Sequence, residues 1–335
     1  MKLAKINAET FNQLAFAEPN SSIYQSTYFA NYMSRQNYRP VFLQAINDSR
    51  TCIGLAMFLI KKKSLLSRKN VAYCPSGYLM NYYDKEELIT FNDLVSKYLK
   101  DKENVDTVII EPNLVLNNDE NRDYLRYALE NIGYRKEKDI DYYQIDIDTY
   151  KKIETSKNLS FDISRSNNID VLKKYIDSDE NDYFEQYKAF SKYGSLYEAS
   201  LDSFRSKSSL KKSMDENREF IHRHKDDFKY NDVVKEKIYE NEKMDLILEY
   251  IAKYERTYGD NPSLGVTFIT DYSDQHLYEF FISRDTSENL FEIQEVLLNY
   301  IVEDFKNSGI KKLSSYKQIP NAEKLNIIGQ YISSI

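Results

Sequence analysis

Between Ser26 and Asn37 the apolar residues Phe29, Tyr32 and Met33 fall three and four positions apart, a helical stripe, after which the period of the chain changes. Val41 to Ile46 and Cys52 to Lys61 predict the two strands of a hairpin, the second holding the longest nearly unbroken apolar run, Ile53 to Ile60. Val71 to Tyr73 predicts a further strand entering a loop at Pro75 and Gly77. Helical spacing returns from Glu86 to Lys100, with Leu88, Phe91, Leu94, Val95, Tyr98 and Leu99 on the stripe. Thr107 to Ile110 is a short buried strand, ended at Glu111-Pro112 because proline has no N–H to continue a ladder. Asn121 to Asn131 predicts a helix closed before Gly133, and Asp141 to Ile147 a strand.

A comparable set follows beyond Lys151: Ile169 to Tyr175, Asp182 to Lys192, Gly265 to Thr270, His276 to Ser283 and Leu290 to Asn307. Alternating strands and helices place the chain in the α/β (α+β) class, as two similar units in tandem, residues 1–150 and 151–335. Within the second lies Ser203 to Tyr258, dense in charge and lacking both proline and glycine. Its apolar positions, among them Leu210, Met214, Ile221, Ile238, Ile247 and Ile251, are mostly three and four apart, so it reads as a helical hairpin (a coiled-coil arm, about 203–258) turning near Tyr230-Asn231. A solvated arm that only braces the fold is the alternative to a binding arm.

A length of 335 residues suits two domains of ordinary size, and no apolar run is long enough to cross a bilayer. The N-terminal stretch lacks the apolar core and cleavage site of a signal peptide, so a cytoplasmic protein is expected. The net charge of −7 argues against a general nucleic-acid coat but permits local basic patches. Cys52, Cys74, His222, His224 and His276 show no metal-ligand spacing, and residues two apart on a helix do not share a face, so no metal is expected.

Several stretches together resemble the Fem aminoacyltransferases (FemABX-like) that build peptidoglycan bridges. They are Tyr24-Gln25-Ser26 before Phe29, the strand Ala56 to Lys61, Tyr73-Cys74-Pro75-Ser76-Gly77 with Asp84 downstream, and Ile109-Ile110-Glu111-Pro112. The second half adds Tyr254 to Asp260, Leu264 to Thr270, Leu277 to Ser283 and a long helix ending at Gly309-Ile310, in the order found in that family. The resemblance implies two tandem GNAT-like domains with the helical arm inserted in the second. It implies aminoacyl-tRNA as donor and lipid II or UDP-MurNAc-pentapeptide as acceptor, hence peripheral contact at the inner face of the plasma membrane. No cofactor is implied, and the eight glycines, dispersed singly, offer no run that would cradle coenzyme A.

An aminoacyl ester is already reactive, so transfer to an amine needs a group that takes a proton and a group that stabilises the oxyanion. Glu111, at the end of a buried strand, is the candidate carboxylate, with a strand-end cap as its alternative. Lys317 lies where the family places residues near the aminoacyl end; the alternative is a solvated lysine. For the acceptor the resemblance implies Gln25, Ser26, Arg35, Tyr73, Pro75, Ser76 and Gly77, although Met33 competes with Arg35 for the family's basic position. For tRNA phosphates the candidates are Lys61, Lys62, Lys63, Arg68 and Lys69, and on the arm Lys211 and Lys212, against ordinary solvated faces. Two departures, no arginine within residues 190–198 and a different C-terminal segment, leave open another N-acyltransferase on the same scaffold or a non-catalytic immunity or binding protein.

Overall fold

The computed structural model describes residues 1–335 except 65–66, 114–118, 169, 177–181, 286–288 and 326–328, so Ile169 of the expected 169–175 element lies outside the described residues. The first elements are β1 (Lys2–Lys5), α1 (Ala8–Phe16), α2 (Thr27–Arg35), β2 (Arg39–Ile46), β3 (Cys52–Lys62), β4 (Asn70–Cys74) and β5 (Leu79–Met80). They are followed by α3 (Lys85–Glu103), β6 (Val105–Ile110), α4 (Asp119–Asn131), β7 (Arg135–Lys138) and β8 (Tyr142–Asp146). The expected hairpin of β2 on β3 is present, and α3 is capped by Asp84, which accepts from Glu87 N at 3.0 Å, and closed by Asn104 in the left-handed region (φ 53°).

The second half runs β9 (Phe161–Ser166), α5 (Asp170–Lys173), α6 (Asp182–Phe190), β10 (Gly194–Leu201), α7 (Ser203–His224), α8 (Asn231–Tyr258), β11 (Ser263–Tyr272), β12 (Gln275–Ser283), α9 (Ile293–Asn307), β13 (Lys312–Ser315), β14 (Glu323–Leu325) and β15 (Gln330–Ser334). The first sheet has the order β1-β2-β3-β4-β6-β15-β7 with β5 on β3, and the second β14-β8-β13-β12-β11-β10-β9. The sheets therefore exchange strands: β8 pairs with β13 in the second, and the C-terminal β15 pairs with β6 in the first. We propose a division into two units near residue 150, with these two strands crossing it.

The apolar run of β3 is explained by burial on both faces. Ala56, Phe58 and Ile60 join one core with α3 and α4, while Leu55, Met57 and Leu59 join a second core that also holds Phe190 of α6 and Leu196, Val266, Phe268 and Phe280 of the other sheet. That shared core clamps the two sheets together through α1, α2 and α6.

The helices α7 and α8 form the expected hairpin between β10 and β11. It turns slightly earlier than the pattern suggests, over residues 225–230, where the His224 ring lies 4.6 Å from Phe220 and 4.4 Å from Tyr230. At its base Lys207 pairs with Glu255 at 2.7 Å, and Leu210, Met214, Ile247 and Ile251 are buried in the core of the second sheet. No helix among the described residues is long and apolar enough to cross a membrane.

Candidate functional site between the two sheets

Among the described strands each sheet contains one parallel pair, β4 with β6 and β12 with β13. Parallel strands part beyond their carboxyl ends, where backbone groups become free to line a crevice. Past Cys74 and Ile110 the chain turns apart, and the divergence is held by three backbone bonds: Gly77 N and Glu111 N donate to Cys74 O, each at 3.3 Å, and Asn113 N donates to Ser76 O at 3.1 Å. The turn places Ser76 (φ 55°) and Gly77 (φ 71°) consecutively in the left-handed region. A Cβ at Gly77 would lie 2.6 Å from the Pro112 Cα, so glycine is required both by dihedral and by space.

From the other sheet β13 ends at Ser315, whose hydroxyl donates to Tyr278 O at 3.0 Å and accepts from Lys317 N at 3.0 Å. This directs Tyr316 against the first unit, its ring 6.0 Å from Tyr24. The result is a cavity of about 310 Å³ between the two sheets. Tyr73, Pro75, Ser76, Glu111 and Pro112 line it from the β4/β6 divergence, Tyr24 from the turn ahead of α2 and Phe29 from α2 itself, Lys138 and Ile140 from the crossing to β8, and Tyr316 from just beyond β13.

Glu111 is fixed from two sides, accepting from the Tyr73 hydroxyl and from Gln330 Nε2 on β15. Burial, then the Glu111 charge beside it, push the Tyr73 phenol well above the usual tyrosine range, so it stays a donor to the carboxylate. Tyr316 is likewise pushed up by burial and by neighbouring Tyr142 and Glu279. The site is therefore one carboxylate in an aromatic box, a lining that favours a ligand carrying N–H donors or positive charge.

A second carboxylate was not singled out from the sequence. Glu279 on β12 is buried and accepts from Tyr24 Oη at 2.5 Å, Thr270 Oγ1 at 2.8 Å and Gln186 Nε2 at 3.3 Å. Burial pushes its carboxyl above the usual range, opposed by those bonds and by the charge of Lys317. The available signal was an acid in the middle of the apolar strand Leu277 to Ile282, since a buried charge is rarely placed without a partner or a task.

Of the residues expected from the sequence, Tyr73, Pro75, Ser76 and Glu111 line the cavity together. Gly77 supports the turn from behind, and Gln25 is buried with its Nε2 3.8 Å from Cys74 Sγ. Ser26 is fully buried as the cap of α2, accepting from Phe29 N at 3.3 Å. Lys317 follows Tyr316 at the edge of the cavity and is exposed. Arg35 does not line the cavity: it pairs with Glu185 on α6 across the outer surface. Exposed pairs of this kind contribute about 0–1 kcal/mol. Arg35→Ala is therefore expected to leave both the denaturation midpoint and any turnover within about twofold of the parent; a tenfold loss of turnover in steady-state assay would return Arg35 to the site.

The basic candidates fall in two separate places. Lys61, Lys62, Lys63, Arg68 and Lys69 lie at the end of the β3–β4 hairpin, where Lys61 sits 4.8 Å over the Tyr38 ring, Lys63 pairs with Asp106 at 3.2 Å and Lys69 Nζ donates to Asn104 at 3.0 Å. Lys211 and Lys212 are exposed on α7, the latter 3.9 Å from Glu216. Among the described residues no group of three or more His, Cys, Asp or Glu is arranged to hold a metal ion.

No protein-family model matches this sequence, and no curated protein matches it either. Among solved structures the chain is similar to FemX, with a TM-score of 0.69 at 13% identity over 100% of this chain and 98% of that one. Also matched are a tandem GNAT protein from the clavulanic acid biosynthesis pathway (TM-score 0.46, 8% identity, 99% of this chain and 98% of that one) and L-PGS from Bacillus licheniformis (0.42, 8%, 86% and 74%). At 13% identity the likeness to FemX is one of fold, and the tandem GNAT-like α/β architecture of the FemABX type expected from the sequence is borne out.

Proposed function

We propose that this protein is an aminoacyltransferase that moves an amino acid from aminoacyl-tRNA to an amine of a peptidoglycan precursor, lipid II or UDP-MurNAc-pentapeptide. The observation that carries the reading is Glu111, held by Tyr73 and Gln330 in an aromatic cavity between two GNAT-like units. An alkyl ammonium enters such a box through cation–π attraction and ends on the carboxylate, which takes a proton and leaves the neutral nucleophile. The nitrogen attacks the ester carbonyl, the C–N bond forms and the C–O bond to the ribose breaks; the second proton of the nitrogen passes to the departing ribose oxygen, and the proton taken by Glu111 is released to solvent. Lys138 on the cavity wall and Lys317 at its edge are the cations available to the oxyanion. The lysines at the β3–β4 hairpin and on α7 are proposed contacts for tRNA phosphates. Full-length likeness to FemX in fold supports this reading.

The test is incubation with charged tRNA and either lipid II or its nucleotide precursor, with mass spectrometry of the acceptor. Failure with every common amino acid sinks it. One observation favours a second reading, an N-acyltransferase with a different amine acceptor. Arg35 is engaged with Glu185, and Lys138 is the one basic side chain among the described residues lining the cavity, a sparse provision for a diphosphate. A screen of diphosphate-free amines separates the two.

A further inference from the structure

The cavity region holds two carboxylates in different surroundings. Glu111 follows the parallel strand β6 of the first sheet and lines the cavity; Glu279 lies on the parallel strand β12 of the second sheet and is buried beside it. Environment, more than residue type, separates the roles of paired carboxylates. Glu279 meets groups from every element packed around it: Tyr24 ahead of α2 at 2.5 Å, Gln186 on α6 at 3.3 Å, Thr270 on β11 at 2.8 Å, and, beyond β13, the charge of Lys317 and the neutral phenol of Tyr316. Two of these neighbours, Tyr24 and Tyr316, are themselves walls of the cavity.

Resting on the transferase reading above, we propose that Glu279 is a positioning residue, which locks the hydroxyl and ring of Tyr24 as a wall of the cavity. The geometry explains why an ionisable group stands here. Gln186 Nε2 donates to Tyr24 Oη at 3.3 Å as well as to Glu279, so the phenol, the amide and the carboxylate form a closed ring of bonds with one orientation of the Tyr24 ring. A buried charge costs more than an apolar filler in pure packing terms, and its use lies in the orientation that it imposes. Losing it frees a wall of the cavity, and a displacement of about 1 Å is enough to cost on the order of 100-fold in rate.

Two measurements test this. In steady-state transfer Glu279→Gln is expected to lower kcat by about 10-fold or more with little change in KM for the acceptor. Independently of activity, 13C NMR titration of the Glu279 carboxyl, identified by its absence in Glu279→Gln, should give a midpoint above that of an exposed glutamate. Because Tyr24 and Lys317 both favour the ionised form, that midpoint should move further up in Tyr24→Phe and in Lys317→Gln. Coincident midpoints in the three proteins, or Glu279→Gln turnover within about twofold of the parent, overturn the inference. Midpoints that shift as expected in a protein that transfers no acyl group from any donor overturn the transferase reading instead, and leave the lock of Glu279 on Tyr24 standing.

Discussion

Glu111→Gln is expected to lower kcat by about 100- to 10,000-fold, the span associated with removing a positioned proton acceptor, in a protein that remains folded. Folding should survive because the amide keeps the shape of the carboxylate and part of its hydrogen bonding. The Tyr73 hydroxyl still finds an oxygen at residue 111, and the amide of Gln330, which carries both a donor and an acceptor, turns to meet the new NH2 group. What is lost is the second oxygen and the charge that draws an ammonium into the aromatic box and accepts its proton. Steady-state kinetics alongside a melting curve make the comparison. A variant that keeps kcat within about threefold of the parent would show that Glu111 is a strand-end cap and not the proton acceptor.

Gly77→Ala should be strongly damaging although Gly77 does not itself line the cavity. An alanine held at φ 71° costs about 1–2 kcal/mol from the left-handed conformation alone. Its Cβ would also lie 2.6 Å from the Pro112 Cα and 2.6 Å from the Tyr82 hydroxyl. Tyr82 can yield a little, but the Pro112 backbone is fixed through Glu111 N and Asn113 N to the same turn. Overpacking of this kind adds about 1–3 kcal/mol. The two strands must then part further, carrying Glu111 away from Tyr73. Urea denaturation should place the loss at about 2–5 kcal/mol, with transfer abolished at the same time. A loss under about 0.5 kcal/mol would contradict the turn geometry described for residues 74–77.

The legible part of this site was its first-sheet half. Tyr73, Pro75 and Ser76 stand together in the sequence, and Glu111 is marked by the proline that ends its strand, so both edges of the β4/β6 divergence carry local signals. Arg35 shows the limit of that approach. The helix stripe at Phe29 and Met33 fixes which face is buried, but which acidic partner lies opposite the polar face depends on α6, some 150 positions away in the chain. Glu279 was missed for the same reason: Thr270 is near in the chain, but Tyr24, Gln186 and Lys317 come from three distant segments.

Local chemistry alone specified the elements themselves: helical and alternating periods, the proline stop after Glu111, and the charged hairpin without breakers, all set by interactions within a few residues. It also specified the class, because alternating strands and helices have few ways to bury their apolar faces. Only the tertiary structure decided the strand exchange of β8 and β15, the shared core between the sheets and the second wall of the cavity. The edge strand β7, with every residue exposed, and the interior strand β15 carry little apolar pattern, since their pairing is set by backbone bonds that any sequence offers. The meeting of Glu111 with Tyr316, and of Tyr24 with Glu279, follows from which strands pair and which faces pack, and long-range packing leaves no period in a chain.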